Sequence, residues 1–149
     1  MWKQKKDNLQ NFLFFCLANN PQFYSMKILV VDDEKDVQTL FNQRFRKEIR
    51  SKEIEFDFAY SGDEALTYLN QNLHEPILIL SDINMPGMSG LELLKQIKQK
   101  EYKPPPTVMM ITAYGDQENY NTAMRLGADD FLTKPVDFNL LKEKLLVHN

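Results

Sequence analysis

The sequence predicts an α/β domain in which helices cover both faces of a parallel sheet, and three observations predict it. Short apolar or β-branched runs recur at Ile28 to Val31, Ile77 to Ser81, Thr107 to Ile111 and, more briefly, Phe131 to Leu132, without the polar alternation of half-exposed strands. Segments with apolar residues every three or four positions separate them, the spacing of helices packed on one face. Five polar residues, Asp32, Asp33, Asp82, Thr112 and Lys134, follow these runs directly. They should converge beyond the carboxyl ends of the strands, where open α/β sheets bind ligands. Three carboxylates, a hydroxyl and an ammonium there make a site for a divalent cation and a phosphoryl group.

After the first strand, Lys35 to Ile49 places Val37, Leu40, Phe41, Phe45 and Ile49 on one helical face, with Asp33 and Asp36 suited to its N-terminus. Glu55 to Ala59 reads as an outer strand. Ser61-Gly62-Asp63 opens a second helix through Ala65, Leu66 and Leu69, and Glu75-Pro76 leads into the strand that ends at Asp82. The loop Asn84-Met85-Pro86-Gly87 follows, and Ser89 caps a third helix whose inner face carries Leu91, Leu94 and Ile97. Pro104 to Pro106 stop that helix. The strand from Thr107 leads to a helix from about Asp116 to Leu126, with Tyr120, Ala123 and Met124 at helical spacing and Gly127 as its C-terminal cap. Asp129 to Leu132 is the last strand, Lys134-Pro135 ends it, and Phe138, Leu141 and Leu145 mark a final helix. Five β-then-α units imply right-handed crossovers. No internal repeat or linker interrupts residues 26–147, which read as one domain with no length left for a C-terminal output domain.

Composition narrows the class. The 149 residues suffice for about one domain with a real core. At 43% hydrophobic and 26% charged the chain is neither disordered nor membrane-spanning by composition. A net charge of −3, with no dense Lys/Arg stripe, argues against direct nucleic-acid binding. Cys16 is the single cysteine, which rules out an intramolecular disulfide or a multi-cysteine zinc site and fits a cytoplasmic location.

Residues 1–25 form an N-terminal extension. Lys3, Lys5 and Lys6 precede the apolar run Phe12 to Ala18, and Asn19-Asn20-Pro21 ends it, superficially like a secretory signal. The run is too short for that reading and Asp7 interrupts the basic region. A short amphipathic helix or a disordered arm is expected instead, and Met26 is a plausible natural start.

Three segments carry a family resemblance: Met26 to Glu34 (MKILVVDDE), Leu80 to Gly90 (LSDINMPGMSG) and Gly127 to Pro135 (GADDFLTKP). Together, in this order, they resemble the receiver domain of bacterial two-component response regulators, and the likeness covers about residues 26–147. It implies a flavodoxin-like, doubly wound five-stranded parallel sheet of order 2-1-3-4-5 with five helices. It also implies phosphoryl transfer to Asp82 from a histidine kinase or a histidine phosphotransfer protein. Magnesium would be the cation, since it takes oxygen ligands and is held by few carboxylates. By resemblance, Asp33 and Asp82 bind it directly, Asp32 acts through water, and the backbone carbonyl of Asn84 completes the protein's share.

Thr112 would hydrogen-bond the phosphoryl oxygens and Lys134 would neutralise them. Pro135 is expected to follow a cis bond. Phe131 stands where the family carries its switch aromatic, here without a hydroxyl, and would turn into space vacated by Thr112. Tyr114 gates the site or covers it. His74 and His148 do not resemble phosphorelay histidines. The expected output is altered binding to a downstream protein, with a homodimer admitted and no membrane span; the chain shares in its own modification without being a conventional enzyme. Two other readings stand beside this one. A haloacid-dehalogenase-type phosphatase uses the same chemistry, but places its nucleophile after the first strand with a second Asp two positions on, whereas Asp82 is followed by Asn84. A phosphorylation-independent interaction module would keep the fold and not the reaction. The long charged stretch Arg46 to Glu55 departs from a minimal receiver and is a candidate partner surface.

Overall fold

The computed structural model describes residues 25–146. The expectations for residues 1–24, including Cys16, and for His148 lie outside them. Five parallel strands, β1 (Met26–Val31), β2 (Ile54–Ala59), β3 (Leu78–Asp82), β4 (Thr107–Ala113) and β5 (Asp130–Lys134), form one sheet of order β2-β1-β3-β4-β5. The helices are α1 (Asp36–Arg44), α2 (Arg46–Arg50), α3 (Gly62–Gln71), α4 (Gly90–Gln99), α5 (Gln117–Arg125) and α6 (Phe138–Leu146). The doubly wound, flavodoxin-like sheet expected from the sequence is the one observed. None of the described helices is long and apolar enough to cross a membrane.

The helix count differs from the expected five: there are six among the described residues. The single helix expected over 35–49 is interrupted at Phe45, whose backbone leaves the helical region at φ −108°, ψ 21°. The bonds Phe45 N–H to Phe41 O and Ile49 N–H to Phe45 O continue past the bend. Phe45 itself is fully buried, its ring 5.0 Å from Phe56 and 6.1 Å from Phe138, so core packing dominates over helical regularity there. Leu40, expected on the inner face, is 40% exposed. It stands one residue, about 100°, from Phe41, which holds the centre of the buried stripe.

Alternation along the strands divides the core into two layers. One side of the sheet packs Ile28, Val30, Leu78, Leu80 and Met109 against Phe41, Phe45, Leu141 and Leu145 of the flanking helices. The other packs Leu29, Val31, Ile79, Val108 and Met110 against Ala65, Leu69, Leu93, Leu94, Ile97 and Ala123. Both faces of β1 and β3 are covered, which explains why their sequences are unbroken apolar runs. Ser61, Ser89 and Asp116 cap α3, α4 and α5, each accepting from a backbone N–H three residues on.

Candidate functional site

β1 and β3 are adjacent and parallel, so their carboxyl ends deliver Asp32, Asp33 and Asp82 to one place. Oxygens of the three carboxylates all lie within 4.8 Å of one another. Asp82 is the last residue of β3, not the first after it, and is 3% exposed; Asp33 is exposed. Asp33 does not cap α1 as one sequence reading would have it: Lys35 holds the N-cap position without a side-chain bond. Asp32 Oδ1 instead accepts from Glu34 N–H at 2.9 Å, which orders the turn leaving β1.

The Asp32 carboxyl is held above the usual carboxylate range, first because burial penalises its charge and further by the Asp82 carboxylate, while the Glu34 N–H and Lys134 oppose the rise. Lys134 ends β5, and its Nζ lies 2.6 Å from Asp82 Oδ2. Burial pulls the ammonium's pKa down, but the hydrogen bond and charge of Asp82, with Asp32 and Glu34 behind, lift it above its ordinary value. Asp82 Oδ1 accepts from Asn84 N–H at 3.2 Å. One lysine thus faces three carboxylates. Such a clustered set of hard oxygens fits a small divalent cation.

The other expected residues fall around this centre. Thr112 is buried inside β4, one residue beyond Ile111, the register partner of Asp82, and Ala113 pairs with Lys134. The Lys134–Pro135 bond is cis. Tyr114, at 86% exposure, stands in solvent past β4. Phe131 is partly buried, its ring 4.6 Å from that of Tyr120 on α5. His74 is exposed.

Two residues with a part here carried no functional role in the sequence reading. Gly90 opens α4 directly over the end of β3: a Cβ on it would fall 2.1 Å from the carbonyl oxygen of Asp82, and its N–H donates to Ile83 O at 2.8 Å. Only glycine allows this approach. Tyr120, read only as a helix-face residue, is the ring that covers Phe131; the two sit on a helix and the strand after it, and no periodicity within either element signals the pairing.

Residues 28–146 match the family described as the response regulator receiver domain. The chain belongs to that family. Among curated proteins, this receiver is 35% identical over 121 residues to a chemotaxis protein CheY homolog of Campylobacter jejuni, covering 80% of the chain and 89% of the relative. It is 36% identical to the response regulator RppA of Synechocystis, matching 74% of this chain but spanning only 44% of that protein. Among solved structures, a response regulator receiver domain protein from Clostridium thermocellum is 30% identical with a TM-score of 0.69, over 80% of this chain and 90% of that one. Chemotaxis protein CheY4 of Vibrio cholerae gives 28% and 0.67, over 81% and 96%. Receiver domains are signalling modules that interact with histidine kinases and downstream targets.

Proposed function

We propose that this receiver accepts a phosphoryl group on Asp82 from a histidine kinase or histidine phosphotransfer protein, and signals by changing which protein it binds. The observation that carries the reading is the pairing of Lys134 with Asp82 at 2.6 Å beside carboxylates Asp32 and Asp33. That arrangement holds one nearly buried carboxylate and neutralises it without consuming it. Residues 26–147 are the receiver unit and 1–25 an extension to it. The single cysteine fits a cytoplasmic setting.

In the proposed transfer an Asp82 carboxylate oxygen attacks phosphorus. A P–O bond forms, the P–N bond to the donor imidazole breaks, and its electron pair stays on the histidine nitrogen. Asp32, Asp33, Asp82 and the Asn84 carbonyl would hold Mg²⁺, which when bound supplies positive charge to the transferring oxygens. Lys134 moves with the charge, from the carboxylate to the phosphoryl oxygens. The Thr112 hydroxyl donates to one of those oxygens, and Phe131 turns into the space Thr112 leaves. Because Phe131 lies against Tyr120, such a turn reaches the surface of α5. Tyr114 covers the entrance.

Intact-protein mass spectrometry after incubation with acetyl phosphate tests this, comparing the native chain with Asp82→Asn, with and without magnesium. A magnesium-dependent gain of one phosphoryl group that vanishes in the variant is expected. No gain, either with acetyl phosphate or with a phosphorylated histidine donor, would favour the phosphorylation-independent module.

A further inference from the structure

The pole of the sheet opposite the carboxylates carries a second charged feature. α1 starts beside Asp33 and runs away from it, so its last turn and all of α2 lie near the end where β1 and β2 begin. Here Gln43, Arg44, Arg46, Lys47, Arg50 and Lys142 line an open pocket of about 590 Å³, together with Glu48. Glu48 is nearly buried and its Oε1 is 3.4 Å from Lys142 Nζ, so these two charges largely cancel. Arg44, Arg46, Lys47 and Arg50 join none of the ion pairs found among the described residues. Four uncompensated cations therefore share one pocket on a chain of net charge −3.

Two of the basic groups are also held in place by rings. The Arg44 guanidinium lies 5.5 Å from the centre of Phe138 and Lys142 Nζ 5.3 Å from that of Phe45. Cations fixed on aromatic faces of the core lose less freedom when a ligand arrives. Three of the four free charges are arginines, whose planar fork suits carboxylates.

We propose that this pocket docks an acidic peptide segment of a partner protein. From Arg44 to Arg50 the chain rises only about 9 Å at ~1.5 Å per helical residue, enough for a few carboxylates and too short to track a nucleic-acid backbone. Two of the three helices that wall the pocket also leave a leucine open, Leu40 on α1 at 40% and Leu140 on α6 at 43%, which suits a protein partner. The partner binds at the far pole and leaves Asp82 free, so the surface adds to the phosphoacceptor reading without depending on it.

Fluorescence anisotropy with a short labelled poly-glutamate peptide tests the surface on the full chain. Saturable binding is expected, weakened about tenfold or more, ~1.4 kcal/mol, by Arg46→Glu with Arg50→Glu. A control pair, Lys95→Glu with Lys103→Glu, changes net charge equally and should bind like the native chain. The milder pair Arg46→Gln with Arg50→Gln should weaken binding in the same direction, which covers misfolding of the reversed pair. Acetyl phosphate labelling of Asp82 should be unchanged in all of them. Absence of saturable binding, or equal weakening in the control pair, overturns the proposal. So does tighter binding of a single-stranded DNA oligonucleotide through the same arginines, which would make this a nucleic-acid site.

Discussion

The chain contains the dipeptide Asp-Asp twice, and the two copies are treated in opposite ways. Asp129-Asp130 sits where β5 begins, and both carboxylates are compensated. Asp129 Oδ2 accepts from Val108 N–H at 2.8 Å and from Lys98 Nζ at 3.1 Å; Asp130 holds Lys144 Nζ with both oxygens at 3.0 Å. Asp32-Asp33 sits where β1 ends, beside a third carboxylate, with Lys134, among the described residues, as the one ammonium placed on the cluster by an ion pair. The first pair serves the fold. The second is a concentration of negative charge that the fold tolerates and a cation would relieve. What separates them is the end of the strand they occupy, not their own chemistry.

The largest effect that would break this contrast is Asp129→Ala. It strips Val108 N–H and Lys98 of a buried acceptor and should cost about 3 kcal/mol in urea unfolding. A loss below about 1 kcal/mol would mean the doublet at β5 is not structural. Asp130→Asn weakens the bond to Lys144 and should cost roughly 1.5 kcal/mol by the same measurement. Asp32→Asn should act with the opposite sign, stabilising the magnesium-free protein by about 1 kcal/mol, since it removes like-charge repulsion across less than 4.8 Å. Saturating magnesium should reverse that order and favour the native chain.

The pH dependence sharpens the sign. Because the Asp32 carboxyl is held above its ordinary range, the folded state grips that proton harder than the unfolded chain. The stability this group contributes is present below the ordinary value of about 3.9 and is lost as pH rises through the raised folded value. The stability difference between Asp32→Asn and the native chain, measured by urea unfolding without metal, should therefore grow as pH rises through that window. A flat difference would show that neither burial nor the Asp82 carboxylate disfavours the charged form of Asp32.

The sequence made the strands legible because β1, β3 and β4 are buried on both faces, so burial writes itself as an unbroken apolar run. For the same reason it showed that Asp32, Asp33, Asp82 and Lys134 leave strand ends on one side of the sheet. It could not show the bend at Phe45, which depends on the ring of Phe56 in the next strand and that of Phe138 far along the chain. Nor could periodicity separate Leu40 from Phe41. Glu48 is invisible to any polarity rule, being a carboxylate only 5% exposed that relies on Lys142 in another helix. Nothing local in the sequence marks the structural task of Asp129 and Asp130, because their partners Lys98 and Lys144 are settled by packing alone.

The seating of Gly90 on the carbonyl of Asp82 matters to anyone who would move this site into another protein. Because α4 begins in contact with the main chain of Asp82, residues 78–90 behave as one inseparable part: strand, loop and helix start travel together. A graft that carried the aspartates but set an alanine at the helix start would push the helix off the strand and shift the very carboxylate it meant to install.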